Sequence, residues 1–195
     1  FQRSLIREYL QIKILHALFS APNAEKLSFL GGTALRILHG NNRFSEDIDL
    51  DHFDVDWAEF GDMANKVQRY LELEGFQVEM RLVEKGAYHC YIKIPHLLFT
   101  QGVSIFPEEK ILIRIDTFAQ GYTYSPDIRI INQFDVFSEI RVTPPPILLA
   151  QKIFTSVSRV RQKGRDFYDI TFLLSFTQPD YGFLKLKWGI SAADE

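Results

Sequence analysis

Residues 30–36 have the sequence LGGTALR and residues 43–50 the sequence RFSEDIDL. In the first segment, two glycines stand between a short apolar run and a helical pattern, which predicts a strand, a tight turn and a helix. Glycine lets a backbone approach a ligand closely, and a helix N-terminus offers free N–H groups to a phosphate. Gly31, Gly32 and Thr33 are therefore candidates for phosphate binding, in competition with a purely structural turn.

The second segment contains two acids that alternate with apolar residues. Asp47 and Asp49 flank Ile48, and Leu50 follows, which is the period of a strand. On a strand, side chains at i and i+2 share one face, with their Cα atoms roughly 6.6–6.8 Å apart. Two such carboxylates can converge on a hard divalent cation, since Mg²⁺ takes one or two protein carboxylates and completes its shell with water and substrate phosphate. A sheet edge with one wet face is the competing interpretation.

A third carboxylate lies in an otherwise apolar strand pattern at residues 111–118, ILIRIDTF. An acid embedded in such a strand must be paired, bound to a metal or near the strand end. Asp116 is therefore a candidate third metal ligand, on a strand that could lie beside the Asp47–Asp49 pair. Arg114 lies two residues earlier on the same face, so a structural ion pair is the alternative.

A charged helical pattern occurs later in the chain. Its residues at helical spacing are Lys152, Ser156 and Arg159, followed by Arg165, Asp166 and Asp169. Residues at i, i+4 and i+7 share a helix face. Such a face could hold a triphosphate through its basic groups, while an acid orients them or accepts a proton. Surface helices with ordinary i, i+4 ion pairs are the competing interpretation.

Composition limits the class of protein. The 195 residues are 46% hydrophobic, enough for one substantial core. No apolar run reaches the ~18 residues of a membrane span. A single cysteine excludes an internal disulfide, and the five histidines form no H-x-x-x-H pair, so a zinc site is not expected. A reducing, cytoplasmic location follows as the default.

The distribution of charge is uneven although the net charge is only −3. Residues 46–62 contain eight acids and no Lys or Arg, whereas residues 150–170 contain five bases and two acids. Acidic and basic patches in one small protein suit metal ions and phosphates respectively.

The coarse pattern predicts an α+β protein with a mixed sheet and flanking helices over residues 1–143, followed by a helical region over 144–195. The triple proline at 144–146 marks the boundary. Strands are predicted at Leu27–Leu30, Ile48–His52, Gln77–Val83, Tyr88–Ile94, Ile111–Phe118, Ile128–Gln133 and Ile140–Val142. Helices are predicted at 2–20, Thr33–His39, Asp56–Leu73, Ile147–Val160 and Arg165–Phe176. The chain lacks an initial Met and ends just after an apolar stretch, so we expect the C-terminal region to be truncated.

Together these motifs resemble the signature of the polymerase-β-like nucleotidyltransferases, a Gly-Gly or Gly-Ser turn followed by a D-x-D pair. In detail they are similar to the AbiEii/AbiGii toxin family of bacterial abortive-infection and toxin–antitoxin systems. That family favours G-G-T-A-L-R, then R-F-S-x-D-I-D, and later a K…R…R-D-x-x-D motif, which residues 152–169 match. The resemblance covers residues 27–174 and implies a polymerase-β-like fold.

The resemblance also implies an activity: transfer of a nucleoside monophosphate from an NTP to an acceptor hydroxyl, with Mg²⁺ or Mn²⁺ as cofactor. The residues that it implicates in metal binding are Asp47, Asp49 and Asp116. Those that it implicates in nucleotide binding are Gly31, Gly32, Thr33, Ser45, Lys152, Arg159, Arg165 and Asp166. Lys152 and Asp169 join the three metal-binding acids as the expected catalytic set.

The same resemblance favours RNA, in particular tRNA, as the acceptor, and a cognate antitoxin as a partner. A small-molecule acceptor, such as an antibiotic, is the alternative within the same superfamily. A catalytically silent nucleotide-binding domain is the alternative outside the enzymes, although a protein that only binds would have little reason to keep both Asp47 and Asp49. The NTP used and the oligomeric state are left open.

Overall fold

Seven strands form one mixed sheet within residues 1–193, the part of the chain that this computed structural model describes. The strands are β1 (Leu27–Leu30), β2 (Ile48–His52), β3 (Glu79–Glu84), β4 (Tyr88–Ile94), β5 (Ile111–Thr117), β6 (Asp127–Gln133) and β7 (Val136–Val142). Their order across the sheet is β3-β4-β5-β2-β1-β7-β6. The pairs β2–β5 and β1–β7 are parallel, whereas β1–β2, β3–β4 and β4–β5 are antiparallel.

Helices connect and flank these strands. They are α1 (Gln2–Phe19), α2 (Gly31–His39), α3 (Trp57–Leu73), α4 (Leu97–Thr100), α5 (Pro145–Ser158), α6 (Gly164–Leu174) and α7 (Tyr181–Trp188), with a 3₁₀ turn at Ala24–Lys26. The predicted α+β class with a mixed sheet is therefore confirmed. Among the helices of residues 1–193, none combines the length and the apolar character needed to cross a lipid bilayer.

The chain divides into two units. The first contains Phe1–Gln120 and Ile128–Val142, and the second contains Gly121–Asp127 and the described residues from Thr143 onward. The short connection Gly121–Asp127 thus belongs with the helical unit, although it precedes the triple proline in sequence. Asp194 and Glu195, the last two residues of the predicted helical region, lie outside the described residues.

The core of the first unit lies between the sheet and the helices α1 and α3. Leu10 and Ile14 of α1 are fully buried with Val67 of α3, against sheet residues such as Phe29 and Ile113. Each such side chain contributes about 1.5–3 kcal/mol through burial. Helix α3 begins with a capping box, in which the side chains of Asp56 and Glu59 each bond the other's backbone N–H. This packing covers one face of the sheet.

The second unit has a small core of its own. Helix α5 packs against α6 and α7. Ile147 and Ala150 of α5 are buried with Phe183 and Leu184 of α7. The double proline at the start of α5 suits a helix N-terminus, because proline there removes only N–H groups that have no helical acceptor.

Several elements differ from the sequence prediction. Helix α2 begins at Gly31, so the two glycines form its first turn rather than a separate turn before it. Strand β7 begins at Val136, whereas the sequence predicted a start at Ile140. The earlier start was missed because the buried Ser138 is small and polar and interrupts the apolar alternation. The short helix α4 and the whole of α7 were not predicted; α7 has apolar residues on several sides and no clear amphipathic period.

Candidate active site

The predicted carboxylates lie on one polar face of the sheet. Strands β2 and β5 are parallel neighbours, and their register pairs Asp49 with Asp116. Paired residues of adjacent strands face the same side of a sheet. Asp47 is the residue just before β2, and it lies on the same side because Arg114 of β5 forms ion pairs with both Asp47 and Asp116. The side chains of Asp47 and Asp116 are 35% and 22% exposed, so solutes can reach them. The structure therefore brings together the three acids that were candidates for metal binding.

Arg114 lies between two of these acids. Its Nη2 donates to Oδ2 of Asp47 at 3.0 Å, and its Nε lies 2.9 Å from Oδ2 of Asp116. Within residues 1–193 the buried Nε has no hydrogen-bond partner of good geometry, so the contact with Asp116 is an ion pair without a directed hydrogen bond. Burial lowers the pKa of Arg114, but the carboxylates of Asp116 and Asp47 outweigh burial and raise that pKa above its ordinary value.

His89 is a member of this polar face that the sequence did not reveal. It is the register partner of Asp116 on β4, and its Nδ1 lies 2.7 Å from Oδ1 of Asp116. An ionised carboxylate only accepts hydrogen bonds, so the ring nitrogen is then the donor. Asp116 is thus held from two sides, by Arg114 and by His89. The alternation of His89 and Tyr91 with Cys90 and Ile92 was the available signal, but it did not indicate which strand would lie beside β5.

A preformed cage for a metal ion is not seen in residues 1–193, where no group of three or more His, Cys, Asp or Glu side chains has a suitable arrangement. The donor chemistry nevertheless fits Mg²⁺ or Mn²⁺, because Asp47 and Asp49 offer only oxygen ligands and Mg²⁺ needs just one or two protein carboxylates. Asp116 as a third ligand stays a prediction, since Arg114 and His89 engage its carboxylate.

Gly31 is required by the position of the Asp49 carboxylate. Its φ is +81°, a left-handed conformation that favours glycine. A Cβ on Gly31 would lie 2.8 Å from Cγ and 2.9 Å from Cβ of Asp49, closer than atoms can approach without displacement. Because Gly31 has no side chain, the carboxylate of Asp49 can pack against the start of α2. The sequence had suggested that the glycine leaves room for a ligand, and the structure adds this second reason.

Gly32 makes room for the segment that precedes β2. A Cβ at this position would lie 2.6 Å from Nη2 of Arg43 and 2.9 Å from Oγ of Ser45. The Ser45 hydroxyl therefore lies beside the first turn of α2, where the sequence had predicted nucleotide binding. Helix α2 has no side-chain cap at its N-terminus. N–H groups of a first helical turn favour an anion, and a phosphate contact of this turn stays a prediction.

Thr33 is completely buried, and its hydroxyl donates to the backbone carbonyl of Asp47. This hydrogen bond joins Asp47, the residue just before β2, to helix α2. The hydroxyl is thus engaged inside the protein, so the predicted direct contact of Thr33 with a phosphate stays untested. Its visible role is to position Asp47.

Helix α1 holds the segment before β2 from the other side. The buried side chain of Gln11 donates through Nε2 to the carbonyl of Ser45 at 3.1 Å. Arg36 of α2 donates through Nε to Oε2 of Glu8 at 2.6 Å, and its guanidinium lies 4.3 Å from the ring centre of Phe44. The second motif is therefore fixed by residues far away in sequence, which a single sequence cannot reveal.

In the second unit, the predicted basic and acidic residues form two ion pairs. Nζ of Lys152 lies 2.9 Å from Oδ2 of Asp169, and Nη1 of Arg159 lies 2.7 Å from Oδ2 of Asp166. Both acids are buried, whereas 37% of the Arg159 side chain is exposed. Each acid thus orients a base. Arg165 is exposed in the first turn of α6.

The prediction that Arg159 shares a helix face with Lys152 and Ser156 is wrong. Helix α5 ends at Ser158, and Arg159 is its C-cap residue with an extended backbone. The Ser156 hydroxyl is buried and donates to the carbonyl of Ile153, so it does not join the two bases. The pairing of Arg159 with the buried Asp166 accounts for its position better than helical spacing does.

A family model described as "Nucleotidyl transferase AbiEii toxin, Type IV TA system" matches residues 13–186. No match was found among curated proteins.

Solved structures with a similar fold include three of low sequence identity. JHP933 from Helicobacter pylori superposes with a TM-score of 0.63 at 17% identity, covering 90% of this chain and 68% of that one. The nucleotidyltransferase toxin MenT4 from Mycobacterium tuberculosis gives a TM-score of 0.61 at 18% identity, covering 95% of this chain and 63% of that one. An antigenic nucleotidyltransferase-like protein from Paracoccidioides brasiliensis gives 0.52 at 17% identity, with coverages of 89% and 79%. At such identities the likeness shows a shared fold, and this chain spans less than two thirds of MenT4.

Proposed function

Because the chain belongs to the AbiEii nucleotidyltransferase toxin family, we propose that this nucleotidyltransferase transfers a nucleoside monophosphate from an NTP to a hydroxyl group of RNA. The observation that carries the proposal is the polar face on which Asp49 and Asp116 are register partners and Arg114 links Asp47 to Asp116. Three acids on one rigid face suit a reaction in which charge on phosphate must be neutralised.

Asp47 and Asp49 would hold Mg²⁺ or Mn²⁺, with Asp116 as the candidate third ligand. The cation, when bound, supplies neutralisation of the negative charge on the reacting phosphates. Gly31 allows the Asp49 carboxylate to pack against α2, and Thr33 fixes the backbone of Asp47. These contacts preorganise the two carboxylates, which reduces the reorganisation needed during the reaction.

In the proposed reaction, the acceptor oxygen forms a bond to the α-phosphorus while the bond from that phosphorus to the β-bridging oxygen breaks. Pyrophosphate leaves, and the hydroxyl proton goes to a carboxylate. Asp116 suits this role better than Asp169, because Asp116 is partly exposed whereas Asp169 is completely buried and paired with Lys152. His89 and Arg114 hold the Asp116 carboxylate in place through the reaction.

The first turn of α2 and the Ser45 hydroxyl are our candidates for contacts with the nucleotide phosphates. Lys152, Arg159 and Arg165 are our candidates for binding the triphosphate through charge. Two of these bases are already oriented by buried acids, Lys152 by Asp169 and Arg159 by Asp166. Asp166 and Asp169 therefore act on the nucleotide through the bases that they hold.

RNA, in particular tRNA, is the proposed acceptor, because the two motifs resemble those of the AbiEii toxin family and that resemblance favours RNA. A bacterial cytoplasmic setting and a cognate antitoxin follow from the same membership as part of the proposal. Transfer to a small molecule would be the outcome if RNA is not used.

The direct test supplies the protein with Mg²⁺, total tRNA and each of the four NTPs labelled at the α-phosphate, one at a time. We expect label to appear in RNA with at least one NTP and to require the divalent cation. Label that appears only in small molecules would contradict the RNA acceptor and retain the transferase reaction. Absence of label from every product, with folded protein verified by its melting curve, would contradict the proposal.

A further inference from the structure

Strands β3, β4 and β5 leave one face of the sheet open. Cys90, Ile92 and Ile94 of β4 are buried on the core side, whereas the residues between them point the other way. We use "open sheet face" for the solvent-facing residues of these strands, which are Glu79, Arg81, Val83, His89, Tyr91, Lys93, Leu112, Arg114 and Asp116. Of these, Glu79, Arg81, Lys93 and Leu112 are exposed, and Tyr91 is partly buried.

The open sheet face leads directly to the carboxylates. The register runs from Arg81 on β3 to Tyr91 on β4 and then to Arg114 on β5, which binds Asp47. Strand β4 lies two strand spacings from β2, a distance of about 10 Å. A chain lying across this face would therefore reach from the edge strand β3 to the proposed reaction centre without leaving the sheet.

Two basic side chains lie beside the aromatic ring of Tyr91 on this face. Arg81, Tyr91 and Lys93 line a surface pocket together with Glu79 and Met80. Glu79, the register partner of Lys93, forms an ion pair of 2.6 Å with Lys110. Arg81 forms no hydrogen bond or ion pair with any other residue of the described chain, residues 1–193, so its charge is available to a ligand. Two exposed cations beside a ring are the composition of a surface that binds single-stranded nucleic acid.

We infer that the open sheet face binds the single-stranded 3′ end of an RNA acceptor. The ring of Tyr91 stacks on one base, and Arg81 and Lys93 contact the phosphates upstream of it. Stacking on a ring tolerates any base, because every base has a π-face, and cations track the backbone. This inference rests on the proposed function in one respect, that the acceptor is RNA, and it identifies the surface that receives it.

The test measures binding without NTP, as the fluorescence anisotropy of a short, fluorescein-labelled single-stranded RNA. Tyr91→Ala should weaken binding roughly tenfold through loss of stacking, whereas Tyr91→Phe should bind as the wild type does. Arg81→Gln and Lys93→Gln should each weaken binding and reduce the slope of log K against log salt by about 0.7. Arg69→Gln is the matched control, since Arg69 is an exposed arginine of α3, which packs on the core side of these strands.

Binding that is unchanged in Tyr91→Ala and Arg81→Gln, or wild-type protein that binds no single-stranded RNA, would overturn the inference. A parallel transfer assay separates this result from failure of the proposed function. If label is transferred to RNA but RNA binding does not depend on Tyr91, this inference alone is overturned and the proposed function stands. Tyr91-dependent RNA binding without any nucleotidyl transfer would support the surface and contradict the proposed reaction.

Discussion

Replacement of Gly31 by alanine tests whether the Asp49 carboxylate is held where the structure has it. Two separate costs are expected. Alanine at φ +81° carries the penalty of a left-handed conformation, about 1–2 kcal/mol. In addition, the new Cβ would lie 2.8 Å from Cγ of Asp49 and would force that side chain away.

Gly40 provides a matched control for the backbone penalty. It is the C-cap of the same helix, α2, with φ +76°, and a Cβ there would meet no atom within 4 Å. Gly40→Ala should therefore lose about 1–2 kcal/mol of folding free energy, a fall in melting temperature of roughly 2–4 °C per kcal/mol for a chain of this size. Its transferase activity should equal that of the wild type.

Gly31→Ala should lose more stability than Gly40→Ala and, in addition, lower the rate of nucleotidyl transfer about a hundredfold, since a displacement of about 1 Å in a reacting group costs that much. Chemical unfolding gives the stability, and transfer of α-labelled NTP gives the rate. In an Asp49→Gly background the extra cost of Gly31→Ala should disappear, because the clashing side chain is gone. Equal stability and full activity in Gly31→Ala and Gly40→Ala would refute the packing of Asp49 against α2.

Three further predictions follow from charged and titrating groups. Arg114→Gln removes the positive charge of the arginine between the carboxylates of Asp47 and Asp116. Mg²⁺ should then bind these carboxylates more tightly and raise the melting temperature by more than it does in the wild type. An unchanged or smaller rise would count against a metal site there. Burial lowers the pKa of His52 below 6.5, and its Nδ1 accepts a hydrogen bond from the N–H of Val55. As the pH falls, the unfolded chain therefore protonates His52 before the folded protein does, and the wild type should lose stability below pH 6.5. Urea unfolding at several pH values should show that the free energy of unfolding of His52→Gln depends less on pH. Asp169→Leu should destabilise the protein by about 3–5 kcal/mol because it removes the partner of a partly buried lysine, and adding Lys152→Met should restore part of that loss in the same unfolding assay.

The sequence was sufficient for the fold class and for most strands, because alternation along β2, β4 and β5 is regular. It also identified Asp47, Asp49 and Asp116 as candidates, since acids next to apolar residues in a strand pattern stand out. Their meeting on one face depends on the β2–β5 pairing, which joins strands that are not consecutive in the chain. A single sequence contains no signal for that pairing.

Other features depend on contacts that are remote in sequence. Gly31 was expected to let the backbone approach a ligand, and nothing in the sequence indicated that the Asp49 carboxylate lies where a Gly31 side chain would be. His89 was missed because its partner Asp116 is 27 residues away. Helical spacing placed Arg159 within a helix, but the chain leaves the helix one residue earlier and Arg159 pairs with Asp166. Periodicity predicts local elements, and such pairings between elements lie beyond its reach.

The most direct test of the central claim compares two aspartate variants in one transfer assay. Asp49→Asn removes the charge that is proposed to hold the metal ion, and Asp62→Asn makes the same change at an exposed position of α3. With Mg²⁺, α-labelled NTP and RNA, we predict a loss of about a hundredfold or more for Asp49→Asn and the wild-type rate for Asp62→Asn. Two variants with equal, wild-type rates would contradict the assignment of this sheet face as the site of nucleotidyl transfer.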